Sequence, residues 1–142
     1  MPMTMSPAIC ALICFTALTI ALALGYVGYR IFLVLSFKTS ANSWTRDAEA
    51  WQDPPVIVRI HHAHLNSLEN LPLYAAVVLA AYATGQIAVI DSLAMVYLGL
   101  RVAQSLVHVI STTPAFVFVR ANLWVAQIAL LAYWLLKLCG TV

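Results

Sequence analysis

The sequence predicts an all-α membrane protein, a four-transmembrane-helix antiparallel bundle. Three observations predict it: an apolar composition, four long apolar stretches, and links too short for those stretches to be anything but antiparallel neighbours. Of 142 residues, 63% are hydrophobic and only 8% charged, with a mean hydropathy of +0.93. A soluble domain carries about 25% charged residues, so this chain lacks the polar surface to cover a globule in water. Its length suits a single domain, residues 1–142, holding about four spans of roughly 20 residues with short connectors. A formal charge of +2 with no basic run argues against a nucleic-acid partner. Cys10, Cys14 and Cys139 form neither a disulfide framework nor a metal spacing and read as apolar side chains.

The first span is expected over about 7–37. No Lys or Arg precedes Pro7, and the apolar run far exceeds a signal-peptide core, so it reads as a retained helix. A polar connector, Lys38 to Pro55, carries Asn42, Arg46, Asp47, Glu49 and Asp53. Pro54-Pro55 then favours a helix start, placing span two at 56–84 with Gly85 as its stop. Asp91-Ser92 is read as the N-cap of span three, 92–112. Thr112-Thr113-Pro114 breaks that helix, and span four follows at 115–138. Arg30, Lys38, Arg46, Arg59 and Arg120 fall on one side of the bundle and Lys137 alone on the other. By the distribution of basic residues, the first side faces the cytoplasm.

Polar residues inside the spans carry the functional signal. At about 100° per residue, Arg59, His62, Asn66 and Glu69 fall within roughly 80° of one another on span two. Span three repeats the pattern with Arg101, Gln104, Ser105, His108, Ser111 and Thr112. A central charge facing lipid costs about 2.5–3.5 kcal/mol, so both stripes are expected to face protein or a wet cleft. Glu69 and Arg101 lie roughly 18 and 15 Å inward from the cytoplasmic end at a 1.5 Å rise, and a Glu69–Arg101 ion pair is expected. Pro72 lacks an N–H and is expected to bend span two just past the polar segment. His61, His62 and His64 have no companion at ligand spacing, so no metal site is expected. Arg120, opening span four, reads as an interfacial anchor or as a cation for an anion arriving from the cytoplasm.

The segment Arg59-x4-His64-Leu65-Asn66-x2-Glu69-Asn70-x-Pro72 resembles the second-helix signature of the MAPEG family, the membrane-associated proteins in eicosanoid and glutathione metabolism. The run Ala63-His64-Leu65-Asn66-Ser67-Leu68-Glu69-Asn70 is most similar to the microsomal glutathione transferase branch. Length, four spans, a polar first connector and a tight second one extend the resemblance over the whole chain. It implies a homotrimer that binds glutathione as co-substrate between subunits, facing the cytoplasm, and turns its thiolate on a small lipophilic substrate from the membrane lipids. By the same resemblance Arg120 is the catalytic cation that holds the thiolate. Arg59, His62, Asn66, Glu69, Arg101 and His108 would bind or order the tripeptide. His62, His108 and Trp124 depart from the pattern, standing where the family usually has an arginine and two tyrosines.

The leading reading is therefore a glutathione-dependent membrane transferase or peroxidase acting on lipophilic electrophiles or lipid hydroperoxides. The alternative is a non-catalytic lipid- or partner-binding membrane protein on the same scaffold, and a third class is a small transporter or channel subunit. The membrane itself, bacterial inner membrane or endoplasmic reticulum, carries no mark in the sequence.

Overall fold

The computed structural model describes residues 5–44 and 53–140; Arg46, Asp47 and Glu49 of the first connector lie outside the described residues. Four helices account for the chain: α1 (Pro7–Leu35), α2 (Pro55–Ala83), α3 (Ala88–Ile110) and α4 (Pro114–Leu138), with no strand among the described residues. Pro7, Pro55 and Pro114 each open a helix, where a missing N–H costs nothing and a φ near −65° is already helical. Three helices end through a residue in the left-handed region: Phe37 after α1, Gly85 after α2 and Gly140 after α4. After α1 the Lys38 N–H reaches the Leu33 carbonyl and the Phe37 N–H reaches Val34, a pattern that satisfies end carbonyls left without helical partners. Glycine serves the last two ends without steric cost, whereas Phe37 takes φ 56° with a Cβ in place.

The helix starts differ from the expectation at one point of substance. α3 begins at Ala88, so Asp91 and Ser92 lie inside it and do not cap it. The Asp91 carboxylate instead accepts from the Ser6 hydroxyl at 2.5 Å and the Ala8 N–H at 2.9 Å. It thus serves the unpaired first turn of α1, a helix distant in sequence whose N-terminus favours an anion. α2 runs through Pro72 as one helix of 29 residues.

α2 and α3 form the centre of the bundle. α1 packs along both, α4 packs mainly on α3 with a lighter seam to α2, and α1 and α4 stand on opposite flanks of that pair. α1, α3 and α4 are long and apolar enough to cross a membrane. α2 is as long as α1 but carries Arg59, Glu69, three histidines and two asparagines, and it packs between α1 and α3. One polar face of α2 (His64, Ser67, Asn70) is buried. His64 Nδ1 lies 3.0 Å from the Thr19 carbonyl of α1, the geometry of a donated hydrogen bond between helices.

The apolar core sits toward the end of the bundle where α1 begins. Tyr74 stacks on Tyr97 with ring centroids 4.3 Å apart at 11°. Trp134 lies 6.0 and 5.8 Å from those two rings, and Phe15 lies 6.5 and 6.4 Å from them. At the other end Arg30 pairs with Asp53 at 2.6 Å, and Trp44 Nε1 donates to the same carboxylate at 3.1 Å. This clip ties the first connector to the last turns of α1. Large apolar side chains such as Leu24, Leu35 and Phe118 point outward, as a surface facing lipid requires.

Trp134 is fully buried and Phe118 is 70% exposed. Trp134→Ala is expected to destabilise the bundle by about 3–5 kcal/mol, and Phe118→Ala by a small fraction of that. Thermal unfolding of the two variants in one detergent checks the contrast; equal losses would contradict this placement of the core.

Candidate functional site

The site is organised by a buried cation. Arg101, on the face of α3 turned toward α1 and α2, has no exposed surface. Its Nη1 donates to the Asn66 side-chain oxygen at 2.9 Å and lies 3.5 Å from the Asn66 carbonyl. The guanidinium also sits 5.3 Å from the centre of the Phe15 ring. Asn70 Nδ2 closes the group by donating to the Asn66 carbonyl at 2.9 Å.

The expected Glu69–Arg101 pair is therefore corrected: Arg101 is held by Asn66, and among the described residues no ion pair joins it to Glu69. Depth along the two helices allows the pair, but rotation does not. Three residues after Asn66, Glu69 is turned by about 60° around the α2 axis, away from the α1 side and toward α4. There it faces an open cleft.

That cleft lies between α2, α3 and α4, with a volume of about 340 Å³. Asn66 and Glu69 come from α2, Gln104 from α3, and Arg120 and Trp124 from α4, with Val117 and Ala121 completing the wall. On α4 these positions follow helical spacing along one face. Of the residues picked out from sequence, Asn66, Glu69 and Arg120 are brought together here, and Trp124 stands beside them. Among the described residues Arg120 makes no ion pair. Arginine can only donate, so the bond from Arg101 occupies the Asn66 oxygen and leaves the Asn66 Nδ2 as the group offered to the cleft. The cleft thus sets donors, on Asn66 and Arg120, against one acceptor, the Glu69 carboxylate. That is the complement of a ligand carrying both a carboxylate and an ammonium group.

The remaining expected site residues stand outside the cleft wall. Arg101 acts from behind Asn66. Arg59 Nε donates to the Val109 carbonyl at 2.7 Å, a cation closing the last turn of α3 as helix C-termini favour. His62 and His108 face each other with ring centroids 6.4 Å apart; His62 is exposed and His108 buried. The three histidines at the start of α2 divide between two sides: His61 lies 4.4 Å from the Tyr26 ring and His64 contacts the same ring and the Thr19 carbonyl, whereas His62 faces His108. Gln104 belongs to the polar stripe of α3 but was not among the expected site residues. Its hydrogen bond with Gln127 at 2.9 Å has only a faint sequence signal, an amide two turns after Arg120.

A family model described as the MAPEG family matches residues 6–140. No curated protein sequence and no solved structure matches the chain.

Replacing Asn66 by leucine would leave the buried Arg101 charge without its side-chain acceptor, at a cost of about 1.5–3 kcal/mol for a hydrogen bond to a charged group. Asn66→Leu is expected to lower the unfolding temperature strongly, and Asn66→Leu with Arg101→Met to recover most of the loss. The check is thermal unfolding of the single and double variants; an Asn66→Leu protein as stable as wild type would remove Asn66 as the holder of Arg101.

Proposed function

The chain belongs to the MAPEG family, and from that premise we propose that it is a glutathione-dependent membrane transferase or peroxidase acting on lipophilic electrophiles or lipid hydroperoxides. The observation that carries the reading is the meeting of Asn66, Glu69 and Arg120 in one cleft. The motif residues on α2 and the arginine that opens α4 are far apart in sequence, and together they offer partners to the ammonium group and to anionic groups of glutathione. Its ammonium group suits Glu69, one of its two carboxylates or a peptide oxygen suits the Asn66 amide, and its thiolate suits the Arg120 guanidinium. A guanidinium beside a thiol favours the ionised, nucleophilic form.

In conjugation the thiolate sulfur forms a bond to an electrophilic carbon, and the leaving group departs with the bonding electron pair. In the peroxidase reaction a hydroperoxide is reduced to an alcohol and water while two glutathione molecules are oxidised to their disulfide. The lipophilic partner has a route of its own. One turn beyond Glu69 and Trp124, the seam between α2 and α4 continues as an apolar groove of about 340 Å³ lined by Leu73, Ala76, Val77, Ile128, Leu131 and Ala132. A substrate dissolved in the membrane can approach the sulfur along it.

The open side of the cleft supports a further part of the proposal. Glu69 is exposed and Trp124 is 42% exposed, so a neighbouring subunit of a homotrimer would enclose the tripeptide. Arg30, Lys38, Arg59 and Arg120 at one end of the bundle, against Lys137 at the other, orient the cleft mouth to the cytoplasm.

One observation favours a second reading, a non-catalytic lipid- or partner-binding protein on the same scaffold. The indole of Trp124 enlarges the apolar part of the cleft where the family resemblance places a tyrosine, and the His62 and His108 pair stands in place of an arginine and a tyrosine. Bound acyl chains without glutathione near Arg120 would support it.

Glutathione binding to the purified protein in lipid discs tests the leading reading, with conjugation of an aryl halide as the activity. Arg120→Ala is expected to lower kcat/KM by about 10²-fold, the usual effect of removing one charge-stabilising donor. No glutathione binding by the wild type at millimolar concentration would overturn the proposal.

A further inference from the structure

Glutathione carries two carboxylates, and the residues of the cleft answer only one of them. Its ammonium group shares a carbon with the first carboxylate, so both belong at the Glu69 and Asn66 end, with the thiolate at Arg120. The glycyl carboxylate, at the other end of the tripeptide, still needs a partner. The helices place a group where it would lie. At about 100° per residue, His62 points between the two α2 residues that line the cleft, about 40° from Asn66 and 20° from Glu69. It stands four residues before Asn66, about 6 Å nearer the cytoplasmic mouth. α3 runs the other way, and His108, four residues after Gln104, is displaced by about 6 Å in the same direction. The two imidazoles meet there with ring centroids 6.4 Å apart. His62 is exposed, whereas His108 is buried and its Nδ1 has no partner among the described residues. Val117, three residues before Arg120, carries the α4 wall of the cleft toward the same level.

We infer that His62 forms a carboxylate subsite at the mouth of the cleft, holding the glycyl carboxylate of glutathione as an imidazolium, so that binding takes up a proton. The inference rests on the glutathione reading and deepens it. An imidazole changes charge near pH 6.5, and a carboxylate bound beside it favours the protonated form. The ligand is therefore held most tightly at low pH, and the contact is lost as pH rises through the imidazole titration. The surrounding charges leave room for such a ligand. On α2, Arg59 precedes His62 by one turn and is engaged by the Val109 carbonyl of α3, and His61 is turned to Tyr26 of α1. Arg30 of α1 is paired with Asp53. From α4, Arg120 acts electrostatically on His108. Glu69 lies two turns deeper than His62, and Asp91 holds the start of α1 at the opposite end of the bundle. Among the described residues no carboxylate pairs with His62, so an arriving carboxylate meets cations and no acid at that level. A packing role accounts for His108, which is buried, better than for His62, whose ring is open to the mouth.

The test measures, by calorimetry, the Kd of the full chain in lipid discs for S-methylglutathione, whose blocked thiol removes the titration of the sulfur. Wild type is expected to bind about 10-fold more weakly at pH 8 than at pH 6, the worth of one hydrogen bond to a charged group. It should also take up protons on binding, read as a dependence of the measured heat on the buffer. His62→Asn should bind weakly with little change over this range, and His62→Arg, a fixed cation, should bind tightly throughout. The glycyl ester of the probe should bind wild type weakly at both pH values. His62 is exposed, so both variants are expected to fold. Titration of Glu69 would act in the opposite sense, weakening binding as pH falls, and cannot imitate the result. An affinity that is constant or increases toward pH 8, a His62→Asn protein that keeps the full pH dependence, or an ester that binds like its parent would overturn the inference. A wild-type protein that binds neither the probe nor glutathione overturns this inference and the proposed function together, whereas binding without pH dependence overturns this inference alone.

Discussion

A guanidinium placed inside a membrane bundle must find acceptors there, because lipid offers none and the alternative costs several kcal/mol. Arg101 meets that requirement in part, through Nη1 and Asn66, with Nε and Nη2 unpartnered among the described residues, and much of the remaining architecture follows from that one bond. The bond fixes the register of α2 against α3, since Asn66 and Arg101 must lie at one depth. It also spends the Asn66 oxygen, so the amide turned to the cleft is a donor. Antiparallel packing then brings Tyr74 to Tyr97, which stack at 4.3 Å, and the aromatic core with Phe15 and Trp134 assembles around that stack. A single polar contact thus sets both the alignment of α2 against α3 and the sense of the amide that Asn66 turns to the cleft.

The two flanking helices have different duties. α1 is pinned at both ends, by Asp91 at its start and by the Arg30–Asp53 clip near its finish, and His64 holds its middle. α4 is attached mainly to α3, and its seam with α2 is lighter. The cleft with Arg120 and the apolar groove beyond it both lie along that lighter seam. The loosely packed pair is thus the one that carries the cation and the acid, an arrangement that would suit the proposed entry of a polar ligand at one end and a lipophilic one from the side.

The fold was legible in the sequence because α1, α3 and α4 announce themselves by length and apolarity, and prolines mark three of the four starts. α2 was legible for a different reason: its polar residues keep helical spacing, so they could be placed on a stripe before any contact was known. The start of α3 was not legible, because Asp91 has the residue type of a cap but serves α1, a partner that local sequence does not reveal. The Glu69–Arg101 expectation failed on the same ground. Depth is a one-dimensional property that counting residues supplies, whereas the choice between Asn66 and Glu69 depends on how α2 is rotated against α3, which only the packed bundle determines. The bond between Gln104 and Gln127 is a tertiary fact of the same kind.

That difference between depth and rotation bears on the chemistry. Three arginines belong to the sequence motifs around the site, and each could have been the cation of an anionic ligand. Arg59 is engaged by the Val109 carbonyl at the end of α3, and Arg101 is buried against Asn66. Arg120 alone borders the cleft. His62 and His108 stand together nearby, but an imidazole holds neither the fixed charge nor the forked geometry of a guanidinium. Thiolate chemistry in this protein would therefore depend on one guanidinium rather than on a cluster. The neutral donor of Asn66 would have to supply in orientation what the site lacks in charge, so Arg101, which holds that amide, would matter to the ligand without touching it.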